Sequence, residues 1–106
     1  MSHHLQPEKL SRLSAHLEAL FSRVSGCEQE PLPPELADEI AATAGEVMVE
    51  LADHGGDELA RQVIEDARML RGFVRTVYPE RARVAESGRV LVSDLELVIR
   101  EDKRAA

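Results

Sequence analysis

PEKLSRLSAHLEALFSRV, residues 7–24, places Leu10, Leu13, Leu17, Leu20 and Val24 at alternating steps of three and four, with Phe21 beside them. That spacing draws one apolar stripe along an α-helix and fits no strand, whose side chains alternate every second residue. Pro7 suits a first helical turn, where its missing N–H costs nothing, and Gly26 suits the position just past the end. The rest of the chain reads outward from this helix.

Prolines at 31, 33 and 34 make residues 27–34 a linker, since they cannot donate a regular ladder of hydrogen bonds. A second helix is predicted from Pro34, with Leu36, Ile40, Ala44, Val47 and Leu51 as its stripe and Met48 on the border. His54-Gly55-Gly56 should stop it through a left-handed glycine turn. Asp57 is placed to cap a third helix, which carries Leu59, Val63, Ala67, Leu70, Val74 and Val77, widened by Ile64, Met69 and Phe73. Pro79 should end or kink that helix, leaving 80–87 for another turn or two. Arg89-Val90-Leu91-Val92 is extended in propensity. Ser93-Asp94-Leu95-Glu96 has the form of a capping box, with Val92 and Leu97 as its staple, opening a short last helix on Leu95, Val98 and Ile99. Gly45 and Gly72, inside helices at a cost of about 1 kcal/mol each relative to alanine, suggest close helix packing. No internal repeat is present.

The expected architecture is therefore all-α, a single-domain bundle of four or five helices with an ordered core over about residues 7–102. Length and composition agree: 106 residues suffice for one core, and 43% apolar against 3% aromatic residues call for a core of Leu, Val, Ile, Ala and Met.

The net charge of −7 is unevenly spread: residues 1–58 hold 3 Lys/Arg against 12 Asp/Glu, and residues 59–106 hold 10 against 8. Such a dipolar chain favours a partner of complementary sign, or itself, over nucleic acid coated along the whole surface. A lone Cys27 forms no intramolecular disulfide, no apolar run approaches a membrane span, and the first residues lack a secretory signal. An intracellular, cytoplasmic or nuclear, location is the expectation.

Chemistry-bearing patterns are sparse. His3, His4, His16 and His54 are scattered and Cys27 sits in the linker, so no spacing resembles a metal site. The acidic pairs Asp38-Glu39, Asp57-Glu58 and Glu65-Asp66 read as solvated faces and helix N-termini rather than general acids. Gly55-Gly56 lacks the Lys and Ser/Thr of a phosphate loop, and no nucleophile has an assignable base. No catalytic residue and no cofactor is expected. Two surfaces remain. The helix 1 stripe of Leu10, Leu13, Leu17, Leu20 and Phe21 reads as a dimer seam, as ordinary core, or as both. Arg68, Arg71, Arg75, Arg81 and Arg83, with Glu80 the one acid among them, read as a basic surface for phosphates or for the acidic half of a protein.

Residues 88–102, GRVLVSDLELVIRED, resemble the last loop and helix of histone-fold proteins, most nearly the TBP-associated factors. Gly88, Arg89, Val92, Asp94, Ile99, Arg100 and Asp102 match that pattern of a Gly/Arg turn, a short extended loop and an Asp-bearing cap. The resemblance implies obligate pairing with a second histone-fold chain and no catalysis. Elsewhere the sequence departs from it, because Gly55-Gly56 and Pro79 divide what would be one long central helix. The functional expectation is a non-enzymatic module that dimerises or docks into a larger assembly. The alternatives are a small acidic adaptor or inhibitor binding a basic surface, and a nucleic-acid-associated regulator using Arg68 to Arg83.

Overall fold

Pro7 opens α1 (Pro7–Val24) as its fixed φ allows, and the Leu10 N–H closes the first turn on the Gln6 carbonyl at 3.0 Å. The computed structural model describes residues 6–24, 31–54, 56–76 and 79–105, with side chains through Asp102. Gly26, Gly55 and Val77, which entered the reading of the helix ends, lie outside these residues.

α2 (Pro34–Leu51) begins at the proline the sequence singles out and runs into a 3-10 turn, Ala52–His54. Gly56 keeps a negative φ, so the left-handed turn expected of the glycine pair is not made by this residue. The chain turns instead through the Asp57 N–H, which donates to the His54 carbonyl at 2.9 Å. Asp57 then caps α3 (Glu58–Val74) as predicted, its carboxylate accepting from the Leu59 and Ala60 N–H groups at 2.9 and 3.4 Å. A cap of this kind stabilises a helix by about 1 kcal/mol. Pro79 separates α3 from α4 (Arg81–Ala105).

α4 is the main correction to the sequence reading. Its 25 residues are helical throughout, so the extended piece over 89–92, the cap at Ser93 and the separate last helix do not form. Nor, therefore, does the short loop on which the histone-like pattern of residues 88–102 depends. Val84, Gly88, Leu91, Leu95 and Val98 fall at steps of three and four straight through the supposed loop, and all are buried. Gly88 does not break the helix because Phe21 lies against it: a Cβ there would stand 2.3 to 2.5 Å from three atoms of the ring. The glycine thus makes room for an aromatic ring from α1. Gly72 has nothing within 4 Å of the same position, so the close packing expected there is absent, while Gly45 is crossed at 3.8 Å by the Arg71 guanidinium.

Each helix touches its two neighbours in sequence order, and α4 closes the ring on α1; the diagonal pairs α1/α3 and α2/α4 do not meet. Lys9 reaches Glu50 at 2.7 Å, and Arg23 reaches Glu39 at 3.8 Å, which fixes α1 and α2 as antiparallel. The result is an all-α four-helix bundle of 46 × 20 × 19 Å with no strand among the described residues. Its axis is filled by Leu10, Leu17, Ile40, Val47, Leu51, Val63, Leu70, Val84, Leu91 and Leu95, the aliphatic core expected from the composition. None of the described helices is long and apolar enough to cross a membrane.

Candidate functional site

The two surfaces drawn from the sequence do not survive as surfaces. Leu10, Leu13, Leu17, Leu20 and Phe21 are all buried in the core of the single chain, so a dimer seam built from them would require the bundle to open. The five arginines are dispersed. Arg68 is bound to Glu65 at 2.6 Å on the exposed face of α3. Arg71 lies half-buried over α2, and exposed Arg75 ends α3, its backbone N–H donating to the Arg71 carbonyl at 3.1 Å. Arg83 stands 5.5 Å from the centre of the Phe73 ring and 4.0 Å from Glu80.

Arg81 is not a surface residue at all. It is 8% exposed, and its guanidinium donates to the carbonyls of Val24 at 2.8 Å, Pro31 at 3.3 Å and Arg23 at 3.4 Å. Arg81 therefore satisfies the unpaired carbonyls that end α1 and fastens the linker to α4.

His3, His4 and Cys27 lie outside the described residues; His16 is exposed on α1, 3.8 Å from Glu39, and half-buried His54 closes the 3-10 turn. No group of three or more metal-ligating side chains occurs among the described residues. Asp38, Glu39, Asp57 and Glu58 are exposed as expected. Asp66 is not: it is 6% exposed, and the solvated reading of Glu65-Asp66 holds only for Glu65.

Asp66 faces α4 from α3, and what it meets there is a second carboxyl, Asp94. Its Oδ1 accepts from the Gln62 side chain at 3.1 Å, while its Oδ2 is buried with no hydrogen-bond partner as a carboxylate. Burial pushes Asp66 up from 3.8 to about 6; a hydrogen bond shared with Asp94 adds to the rise, Gln62 opposes it, and the charges of Asp94 and Glu65 add the remainder. A proton on Asp66 turns that carboxyl into a hydrogen-bond donor toward Asp94.

On the Asp66 side of this pair lies a groove of about 290 Å³, lined by Asp66, Met69, Phe73, Arg83, Glu86 and Val90. Two apolar side chains of its wall are open to solvent, Met69 at 57% and Val90 at 47%, and Leu97, two turns along α4 from Val90 on the same face, is 39% exposed. A larger groove of about 600 Å³ separates α1 from α4, but Phe21, Arg81 and Val92 in its wall are already committed to joining those helices.

Asp66 and Asp94 were missed for identifiable reasons. Asp66 stands between Val63 and Leu70, three residues after one stripe position and four before the next, which is a core register whatever the residue type. Asp94 was absorbed into a capping box that does not exist. Both were legible from periodicity alone. No family model matches the chain, and no curated protein or solved structure matches it, so the reading of this seam rests on its own geometry.

Proposed function

We propose that the chain is a non-enzymatic protein-interaction module that docks one amphipathic helix of a partner protein along the seam between α3 and α4. The observation that carries this reading is where the exposed apolar side chains lie. Among the described residues four large ones are exposed, and Met69, Val90 and Leu97 share this one seam while the core closes without them. Exposed apolar side chains gathered on one face of an otherwise complete domain mark a binding surface more often than an accident of packing.

The shape argues for a helix as the occupant. Two antiparallel helices leave a furrow that a third helix fills with anchors at i, i+3, i+4 and i+7, and Val90 and Leu97 are themselves seven residues apart. A groove of about 290 Å³ takes an anchoring side chain or two but is small for an enclosed ligand. The net charge of −7 draws a basic partner. Nucleic acid is the less supported partner, because the arginines that would contact phosphates point to different parts of the surface.

Light scattering and calorimetry test the reading together. The chain is expected to be monomeric at low and moderate salt, and to bind some members of a panel of 18-residue amphipathic helical peptides with leucine at core spacing. Val90→Glu should abolish that binding, whereas Val49→Glu, at a 73% exposed position on α2, should leave it intact. Binding that ignores Val90→Glu would overturn the proposal. So would a dimer that Val90→Glu dissociates, since the seam would then belong to a second copy.

A further inference from the structure

We infer that the helix docked on this seam delivers one cationic side chain, an arginine or a lysine, onto the Asp66–Asp94 carboxyl pair, and that this contact selects the partner. The inference rests on the docking reading above and names what the partner must carry.

The carboxyl pair is poorly explained by the fold. Two acids facing each other across a helix seam cost stability that an asparagine or a leucine would not, and Asp66 is buried, its Oδ2 lacking a hydrogen-bond donor once the carboxyl is ionised. The groups acting on Asp66 are Gln62 and Glu65 from α3 and Asp94 from α4, and none of them is a cation. Two nearby arginines are engaged with other groups: Arg68, two residues from Asp66, holds Glu65 at 2.6 Å, and Arg83, on the same groove, covers Phe73. Glu86, also on the groove, adds a further negative charge. The groove thus carries two acids, Asp66 and Glu86, against one cation, Arg83, and that cation is not among the groups acting on Asp66.

Asp66 is covered, whereas Asp94 is half-exposed and offers the accessible edge of the pair. A cation arriving over Asp94 would lie close to both carboxyls. Met69, Phe73, Val90 and Leu97 would exclude water around it, which strengthens an ion pair relative to one in bulk solvent. Arginine fits best, since its planar fork can donate to two carboxylate oxygens at once. A second copy of the chain fits poorly, because its own seam would bring acid against acid. Because a cation favours the ionised form of Asp66, affinity should fall as pH drops below about 6.

The test uses twin 18-residue amphipathic helices with leucine anchors and one residue varied, arginine in one peptide and neutral citrulline in the other, placed in turn at four successive central positions. Calorimetry on the whole chain at pH 7.5 should show the best arginine peptide binding about ten-fold or more tighter than its citrulline twin. The preference should disappear in Asp94→Asn, whose fold is checked by circular dichroism, and should shrink several-fold at pH 5. Equal binding of the twins, abolished in both by Val90→Glu, would leave the docking face standing and overturn the cation. An arginine preference that persists in Asp94→Asn would overturn it too, by seating the cation elsewhere. If no peptide binds, the docking reading itself falls and this inference with it.

Discussion

α4 has two flanks, and they are built to different standards. On the α1 side, Gly88 receives the Phe21 ring, Val92 and Ile99 are buried, and Arg81 binds three carbonyls at the end of α1 and in the linker that follows it. On the α3 side, Asp66 meets a second carboxyl with no cation among the groups acting on it, and Met69, Val90 and Leu97 remain exposed. One helix supplies both flanks, so overall composition cannot account for the difference. The first flank is what the fold requires. The second departs from local packing rules with no compensating gain inside the chain, and such departures concentrate where a protein meets something else.

The comparison can be broken first at Arg81. Arg81→Met leaves three carbonyls without their charged donor and should cost about 3 kcal/mol in urea unfolding, given the usual worth of hydrogen bonds to a charged group. A loss below about 1 kcal/mol would mean that water replaces the guanidinium at no cost.

On the other flank the sign should reverse. Because the folded state holds Asp66 at about 6 against 3.8 unfolded, its contribution is greatest below about pH 4 and is lost as pH rises to about 6 and beyond. Asp66→Asn should therefore stabilise the chain at pH 7 by on the order of 2 kcal/mol and flatten the decline in stability between pH 4 and 6. Unchanged pH dependence in this variant would contradict the upward shift of Asp66, which burial and then Asp94 produce.

A smaller effect sharpens the picture at Gly88. Alanine gains about 1 kcal/mol in helix propensity but places its Cβ inside the Phe21 ring, so Gly88→Ala should be destabilising by about 1 kcal/mol net. In a Phe21→Ala background the same change should become stabilising, and the double-mutant cycle reads the contact directly. Smallest of all, Val90→Glu should alter stability by under about 0.5 kcal/mol, as surface changes do, while removing peptide binding.

Most of this fold was readable before any coordinates. The α1 stripe, the starts at Pro7 and Pro34, the Asp57 cap and the separation at Pro79 all rest on local rules that nothing in the packing opposes. Residues 88–97 were misread because two local signals, a glycine before a valine-rich run and a Ser-x-x-Glu pattern, agreed with each other and were both overridden. The glycine's weakness as a helix former is offset by a ring sixty-seven residues away in sequence, which no local window contains. The candidate site suffered twice from that error, since Asp94 became a cap residue and Asp66 was counted with its solvated neighbour Glu65. The exposed apolar rim was harder to see, because Met69 and Phe73 widen an apolar face whether they are buried or open.

The most direct test of the two-flank account is an amide chemical-shift map of the ¹⁵N-labelled chain titrated with the arginine-bearing peptide. The account predicts one saturable set of shifts along Met69, Phe73, Val90, Asp94 and Leu97, with the α1 side of α4 around Phe21 and Arg81 unmoved. Shifts centred on the α1–α4 groove, or spread over all four helices, would contradict it.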